Sequence, residues 1–152
     1  MTAKEYLSQY RECVKLLKAK HDELLTLIED ATTISSPTES GTHTPGAVSD
    51  KVGRKSAEIA DLEAEIEAER EVLRVIRRDI RSSISHVRSA DLRCLLTYRY
   101  ICGCTWERVA VKMNYSYVHI VHRLHPRALA EIGDTMQDMH KNVIECNSKT
   151  VI

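Results

Sequence analysis

Three histidines at three-residue intervals, His119, His122 and His125, form the densest cluster of potential metal ligands in the chain. Residues three apart share a helix face. Each such step falls about 60° short of a full turn, so three in a row fan out and cannot converge well on one ion. Cys102-x-Cys104 has the wrong spacing for a zinc knuckle or finger. The five cysteines are odd in number and irregularly spaced, which is no disulfide framework; reduced thiols in a cytoplasm are the simple reading. His86 precedes Cys94 by two turns, yet nothing suggests a cleft or an oxyanion hole around them. There is no Gly-rich phosphate loop and no pair of carboxylates in an apolar setting. These residues predict no enzyme, no cofactor and no metal.

Positive charge is more informative. Lys and Arg number 22 and Asp and Glu 22, so a uniformly basic nucleic-acid binder is excluded. Between Arg88 and Arg127, however, stand seven basic residues against two acids, Asp91 and Glu107. That is a local basic field hidden by the zero net charge.

The elements that must carry this charge are helices. The chain has 5 Gly, 3 Pro and no Phe in 152 residues, too few turn formers for a sandwich, a barrel or a doubly wound sheet. From Ala3 to Ile28, the positions Leu7, Tyr10, Val14, Leu17, His21, Leu24 and Ile28 step alternately by 3 and 4. That heptad spacing predicts a helix roughly 40 Å long with a narrow apolar seam. Residues 30–48 hold two prolines and two glycines and read as a loop too long for a tight connection. A second helix is expected from about Asp50 to about Ile84, with Ile59, Leu62, Ile66, Glu69, Leu73, Ile76 and Ile80 in the same spacing. The two seams predict an antiparallel coiled-coil hairpin over residues 1–87, its overhang from Ile76 to Val87 packing on the helices beyond it. Glu69 interrupts its seam, so it should lie near a hairpin end or pair with a basic residue. His21 reads as a packed histidine that sets register. Charge divides the second helix: seven acids and one Arg from Glu58 to Glu71, then six Arg and two Asp from Arg74 to Arg93.

Residues 88–132 read as three shorter helices. Ser89 is the expected cap of the first, which Gly103 stops. Thr105 caps the second, with Trp106, Val109, Ala110 and Met113 inward. Asn114 starts a turn, and Ser116 caps the third, whose buried stripe is Ile120, Val121, Leu124, Ala128 and Ile132. Pro126 inside that helix predicts a kink or an early end. Residues 133–152 read as a weakly structured tail holding at most one short helix. No stretch approaches about 18 consecutive apolar residues, so no membrane span is expected, and the start of the chain carries no apolar secretory core.

Two short helices joined by a tight turn, the second opening on a serine cap, form a helix-turn-helix pattern. At 100° per residue His119 and His122 lie opposite the buried stripe, with Val118 and Arg123 on its flanks. His119, His122 and Arg123 are then candidate base or phosphate contacts, and Arg108 and Lys112 candidate phosphate contacts. Leu96 to Ala110, with Arg99-Tyr100, Gly103, Thr105-x-Glu107 and Val109-Ala110, followed by Met113 to Ser116 and by Arg127-Ala128-Leu129, resembles the region 4 helix-turn-helix of sigma factors. The chain has one residue more than that pattern between Ser116 and the Ala128-Leu129 pair. With a coiled-coil hairpin in front, the whole resembles the small phage-encoded late-gene transcription regulators of the ArpU and RinA type.

The resemblance implies an all-α protein whose C-terminal helix-turn-helix docks on promoter DNA in a bacterial host cytoplasm. It also implies contact with RNA polymerase and a DNA-binding set of Arg108, Lys112, Ser116, Tyr117, His119, His122, Arg123 and Arg127. The hairpin can seat on the helix-turn-helix domain, on a second copy, or on both. A small-terminase-like packaging protein, or a helix-turn-helix adaptor for proteins, is the alternative.

Overall fold

The computed structural model describes residues 1–34 and 47–148, with side chains described over 1–33 and 52–137. The protein is all-helical, and among the described residues there is no strand. Five helices succeed one another among the described residues. α1 is Ala3–Ile34 and α2 is Ala47–Ser85. α3 is Ala90–Leu96, prolonged by a π turn over Thr97–Ile101. α4 is Trp106–Met113. α5 opens at Tyr117–His119, passes through a second π turn at Ile120–Leu124, and continues as His125–Ser148. Among the described residues no helix is long and apolar enough to cross a membrane.

Both ends of the expected loop are helical, since α1 continues past Ile28 and α2 begins at Ala47; the rest of that loop lies outside the described residues. The tail expectation is corrected as well. Gly133 does not stop the last helix, which runs on to Ser148. A glycine costs a helix interior only about 1 kcal/mol, and Ile132 on one side and Met136 on the other both pack on the core.

The chain forms two compact units, divided at 12/13 and 73/74 and not at residue 87. The unit Cys13–Leu73 is the middle of the hairpin. Most of its seam is the one the heptads predict: Leu62 and Ile66 are buried, and Leu17, His21, Leu24, Ile59 and Leu73 are half-buried, whereas Val14 and Ile28, also expected there, are exposed. Polar pairs fix the register. Glu69 accepts from Lys20 Nζ at 2.6 Å, and Glu65 accepts from the same ammonium at 3.0 Å. His21 Nε2 lies 2.8 Å from Arg70 Nη2, and Lys55 lies 3.4 Å from Asp30. Partner numbers rise on one helix as they fall on the other, which is antiparallel pairing. Glu69 thus has the basic partner its seam position calls for, and the two carboxylates hold the Lys20 ammonium above its usual pKa.

The other unit joins Met1–Glu12 to Arg74–Ile152. Thr2 and Glu5 form a reciprocal capping box at the start of α1, with the Thr2 N–H donating to Glu5 at 2.7 Å and the Glu5 N–H donating to Thr2 Oγ1 at 3.2 Å. Leu7 from α1 and Ile80, Ile84 and Val87 from the end of α2 share one buried core with Leu92, Leu95, Leu96, Val109, Ile120, Leu124, Ala128 and Ile132. Each large aliphatic side chain taken fully out of water contributes roughly 1.5–3 kcal/mol. Ser83 is buried; its hydroxyl donates to the Asp79 carbonyl at 3.1 Å and so accepts from Tyr6 at 2.9 Å. The turn after α2 is held twice. Arg93 Nη1 donates to the carbonyls of Val87 (2.8 Å) and Arg88 (3.2 Å), and the Arg88 N–H donates to Glu131 (2.9 Å). Ser89 stands at the N-cap of α3 with extended backbone, but its side chain makes no cap bond, so the expected cap is positional only.

Candidate nucleic-acid interface

The site begins where α3 ends. Its π turn closes with the Cys102 N–H donating to the Thr97 carbonyl at 2.9 Å. Gly103 then takes φ +69°, a conformation that costs an L side chain about 1–2 kcal/mol. That lets the Cys104 N–H reach back to Tyr98 O at 2.9 Å, one residue further than the bond of a Schellman stop, as the π turn before it requires. Thr105 caps α4 as expected, accepting from the Arg108 N–H at 3.4 Å. Asn114 turns the chain in the left-handed region at φ 56°, and Tyr115 N–H closes on Ala110 O at 3.1 Å. Ser116 caps α5, accepting from the His119 N–H at 3.2 Å. Two capped helices therefore meet at a tight turn, and the buried residues Val109, Ala110, Ile120 and Leu124 belong to one core.

The second π turn lies just before Pro126. In an uninterrupted α-helix the proline ring would meet the carbonyl of His122, and the proline would offer no N–H to it. Here the His125 N–H bonds instead to Ile120 O, five residues back, and the backbone stays helical on both sides. The expected early end is thereby corrected: the ladder shifts register by one residue, and α5 continues. A π turn holds one residue more than an α turn, which suits the extra residue between Ser116 and Ala128.

Arg108, Lys112, Ser116, Tyr117, His119, His122, Arg123 and Arg127 are all exposed. Six of them lie along the first turns of α5. Arg108 and Lys112 line the same shallow groove on α4 with Val111 and the acidic Glu107. Across the π turn residues five apart replace residues four apart as neighbours, so Tyr117 aligns with His122, and His122 with Arg127. Val118 stands among them, 64% exposed. From Tyr115 to Ala130 this stretch contains no acid. Ser116 spends its oxygen on the cap, and Lys112 extends over the ring of Tyr98 at 5.3 Å.

His125 behaves differently from its neighbours. It is buried, and its Nε2 lies 2.8 Å from Tyr100 Oη. The edge of Trp106 packs on it at 4.6 Å, and the Arg99 guanidinium lies 4.4 Å above Trp106 while donating to Cys104 O at 2.9 Å. Burial, with Lys4 and Arg99 nearby, lowers the His125 pKa to about 4, so the ring is neutral at pH 7. Burial likewise raises the Tyr100 pKa and keeps the phenol protonated. The three histidines therefore do not share a face: His119 and His122 are outside, and His125 is in the core. Among the described residues no group of three or more potential ligands is placed to hold a metal.

Of the Arg99–Trp106–His125–Tyr100 stack, sequence reasoning finds only Trp106 as a core residue. A signal for His125 exists: it lies four residues after Val121, three before Ala128 and seven before Ile132, which is a core position. Tyr115 is another residue that sequence reasoning misses. Its hydroxyl donates to Asp91 at 2.9 Å, and its ring lies 5.1 Å from that of His119, which ties the turn to α3 and braces the first turn of α5.

No family model matches the chain, and no curated protein or solved structure matches it.

Proposed function

We propose that this protein is a sequence-specific DNA-binding transcription regulator that reads duplex DNA with the first turns of α5. The observation that carries this reading is the pair of side-chain-capped helices around Asn114, with an exposed, acid-free face running from Tyr117 to Arg127. A helix presented this way fits a major groove about 12 Å wide. Arg123 and His122 supply donors to base edges, and Arg127, Arg108 and Lys112 supply charge to phosphates. The exposed Val118 fits the methyl group of a thymine. By its resemblance to the phage late-gene regulators, the protein acts in a bacterial host cytoplasm, on a late promoter, together with RNA polymerase, and needs no cofactor. A second copy can join through the hairpin, whose Val14 (40% exposed) and Ile28 (38%) remain partly open to water.

The test is selection of sheared DNA from the source genome at moderate salt, with His122→Ala plus Arg123→Ala alongside. One site enriched upstream of late genes, and lost in the variant, is the expected result. Enrichment at a packaging site would replace this reading with that of a small-terminase-like protein. No retention at any salt would leave a helix-turn-helix adaptor for proteins.

A further inference from the structure

A second cluster of positive charge lies away from α5, in a groove of about 510 Å³ between the end of α2 and the flank of α3. Arg77 and Arg81 line it from α2, Arg93 and Thr97 from α3, over a floor that includes Ile84 and Ile101. No acidic side chain lines it. Arg77 and Arg81 are exposed, one helical turn apart, and neither has a hydrogen bond or ion pair among the described residues. Like charges four apart on a helix repel one another. Arg93 is pinned by its bonds to Val87 O and Arg88 O, so its guanidinium is fixed in place before any ligand arrives. The Thr97 hydroxyl makes no bond among the described residues and is free to donate.

We infer that this groove holds the sugar-phosphate backbone of nucleic acid, as a phosphate-anchoring site separate from the reading helix. The inference rests on the DNA-binding reading above. Three arginines line this groove with no acidic residue among its lining, and one carboxylate would leave two of them unanswered. A duplex supplies one phosphate per about 3.4 Å of axis on each strand, so Arg77 and Arg81, about 6 Å apart along α2, can meet phosphates two steps apart, about 6.8 Å of axis. Guanidinium groups bind phosphate oxygens in pairs of parallel bonds, and the pinned Arg93 loses little freedom in doing so. The apolar floor suits the sugar carbons between phosphates. Contacts of this kind add affinity without reading bases.

The experiment measures affinity for a nonspecific 20-base-pair duplex from low to moderate salt, on the full chain. Each phosphate contact contributes about 0.9 to the slope of log K against log salt. Arg77→Gln plus Arg81→Gln should lower the slope by about 1.8, with an unchanged circular dichroism melt, because both side chains are exposed. Arg78→Gln, which removes a charge on the same helix outside the groove, should leave the slope unchanged. In the genomic selection the groove variant should keep the same preferred site at weaker retention, whereas the α5 variant loses the site. An unchanged slope in the groove variant overturns this site while leaving the DNA-binding reading intact. So does an unchanged slope accompanied by lost binding of a polyglutamate peptide, which would reassign the groove to an acidic protein. Wild type that fails to bind duplex at low salt overturns both.

Discussion

His125 makes stability depend on pH, because its ring is held neutral in the core. Its folded-state pKa is about 4, against an unfolded value near 6.5. Between those values the unfolded chain binds a proton that the folded chain refuses. Stability from this group is therefore complete above about pH 6.5 and is lost as pH falls toward 4. A shift of this size corresponds to about 2 kcal/mol lost by pH 5 and about 3 kcal/mol by pH 4. The loss is a large part of a small domain's stability, which is typically about 5–15 kcal/mol. Urea unfolding followed by circular dichroism, from pH 8 to pH 4, measures it. His125→Gln is the comparison, because it offers Tyr100 a hydrogen-bonding partner and does not titrate here. Carboxylates act on both proteins alike, so the difference between the two curves isolates His125. The variant starts lower at pH 7 through lost ring packing on Trp106, but its curve should be flatter. Parallel curves that differ by less than about 1 kcal/mol between pH 7 and pH 4 would refute a neutral, desolvated histidine at this place.

Burial, backbone conformation and capping each give a further expected outcome. Leu7→Ala should cost about 3 kcal/mol, since Leu7 is fully buried, while Leu25→Ala, at a residue 58% exposed, should cost under about 0.5 kcal/mol; paired urea melts compare them. Gly103→Ala should destabilise by about 1–2 kcal/mol through its positive φ alone, because a Cβ there meets nothing within 4 Å; a variant as stable as wild type would show that the turn can relax. Ser116→Ala should cost about 1 kcal/mol and speed amide exchange at His119, whereas Ser89→Ala should change neither stability nor exchange measurably, because Ser89 makes no side-chain cap bond.

Much of the fold is legible from local patterns. The alternation of 3 and 4 from Leu7 to Ile28 and from Ile59 to Ile80 marks the seam, since helical spacing alone decides which side chains share a face. Thr105, Gly103, Asn114 and Ser116 announce their own stops and caps, because each acts on backbone groups within a few residues of itself. The exposed positions between Tyr117 and Arg123 follow from the same arithmetic. Beyond that point a local reading fails. Pro126 argues for an ending, and Gly133 argues for another, yet α5 passes both.

What the amino-acid sequence determined by itself is the set of helices, the apolar seam of the hairpin and the capped turn at Asn114. These depend on spacing and on side chains acting over one or two turns. The tertiary structure alone decided three other things. It placed Leu7 in the same core as Leu124 and Ile132, a contact across most of the chain that no periodicity encodes. It gathered Arg77, Arg81 and Arg93 from two helices around one groove. And it paired His125 with Tyr100 and Trp106, partners from distant segments that its core spacing does not name.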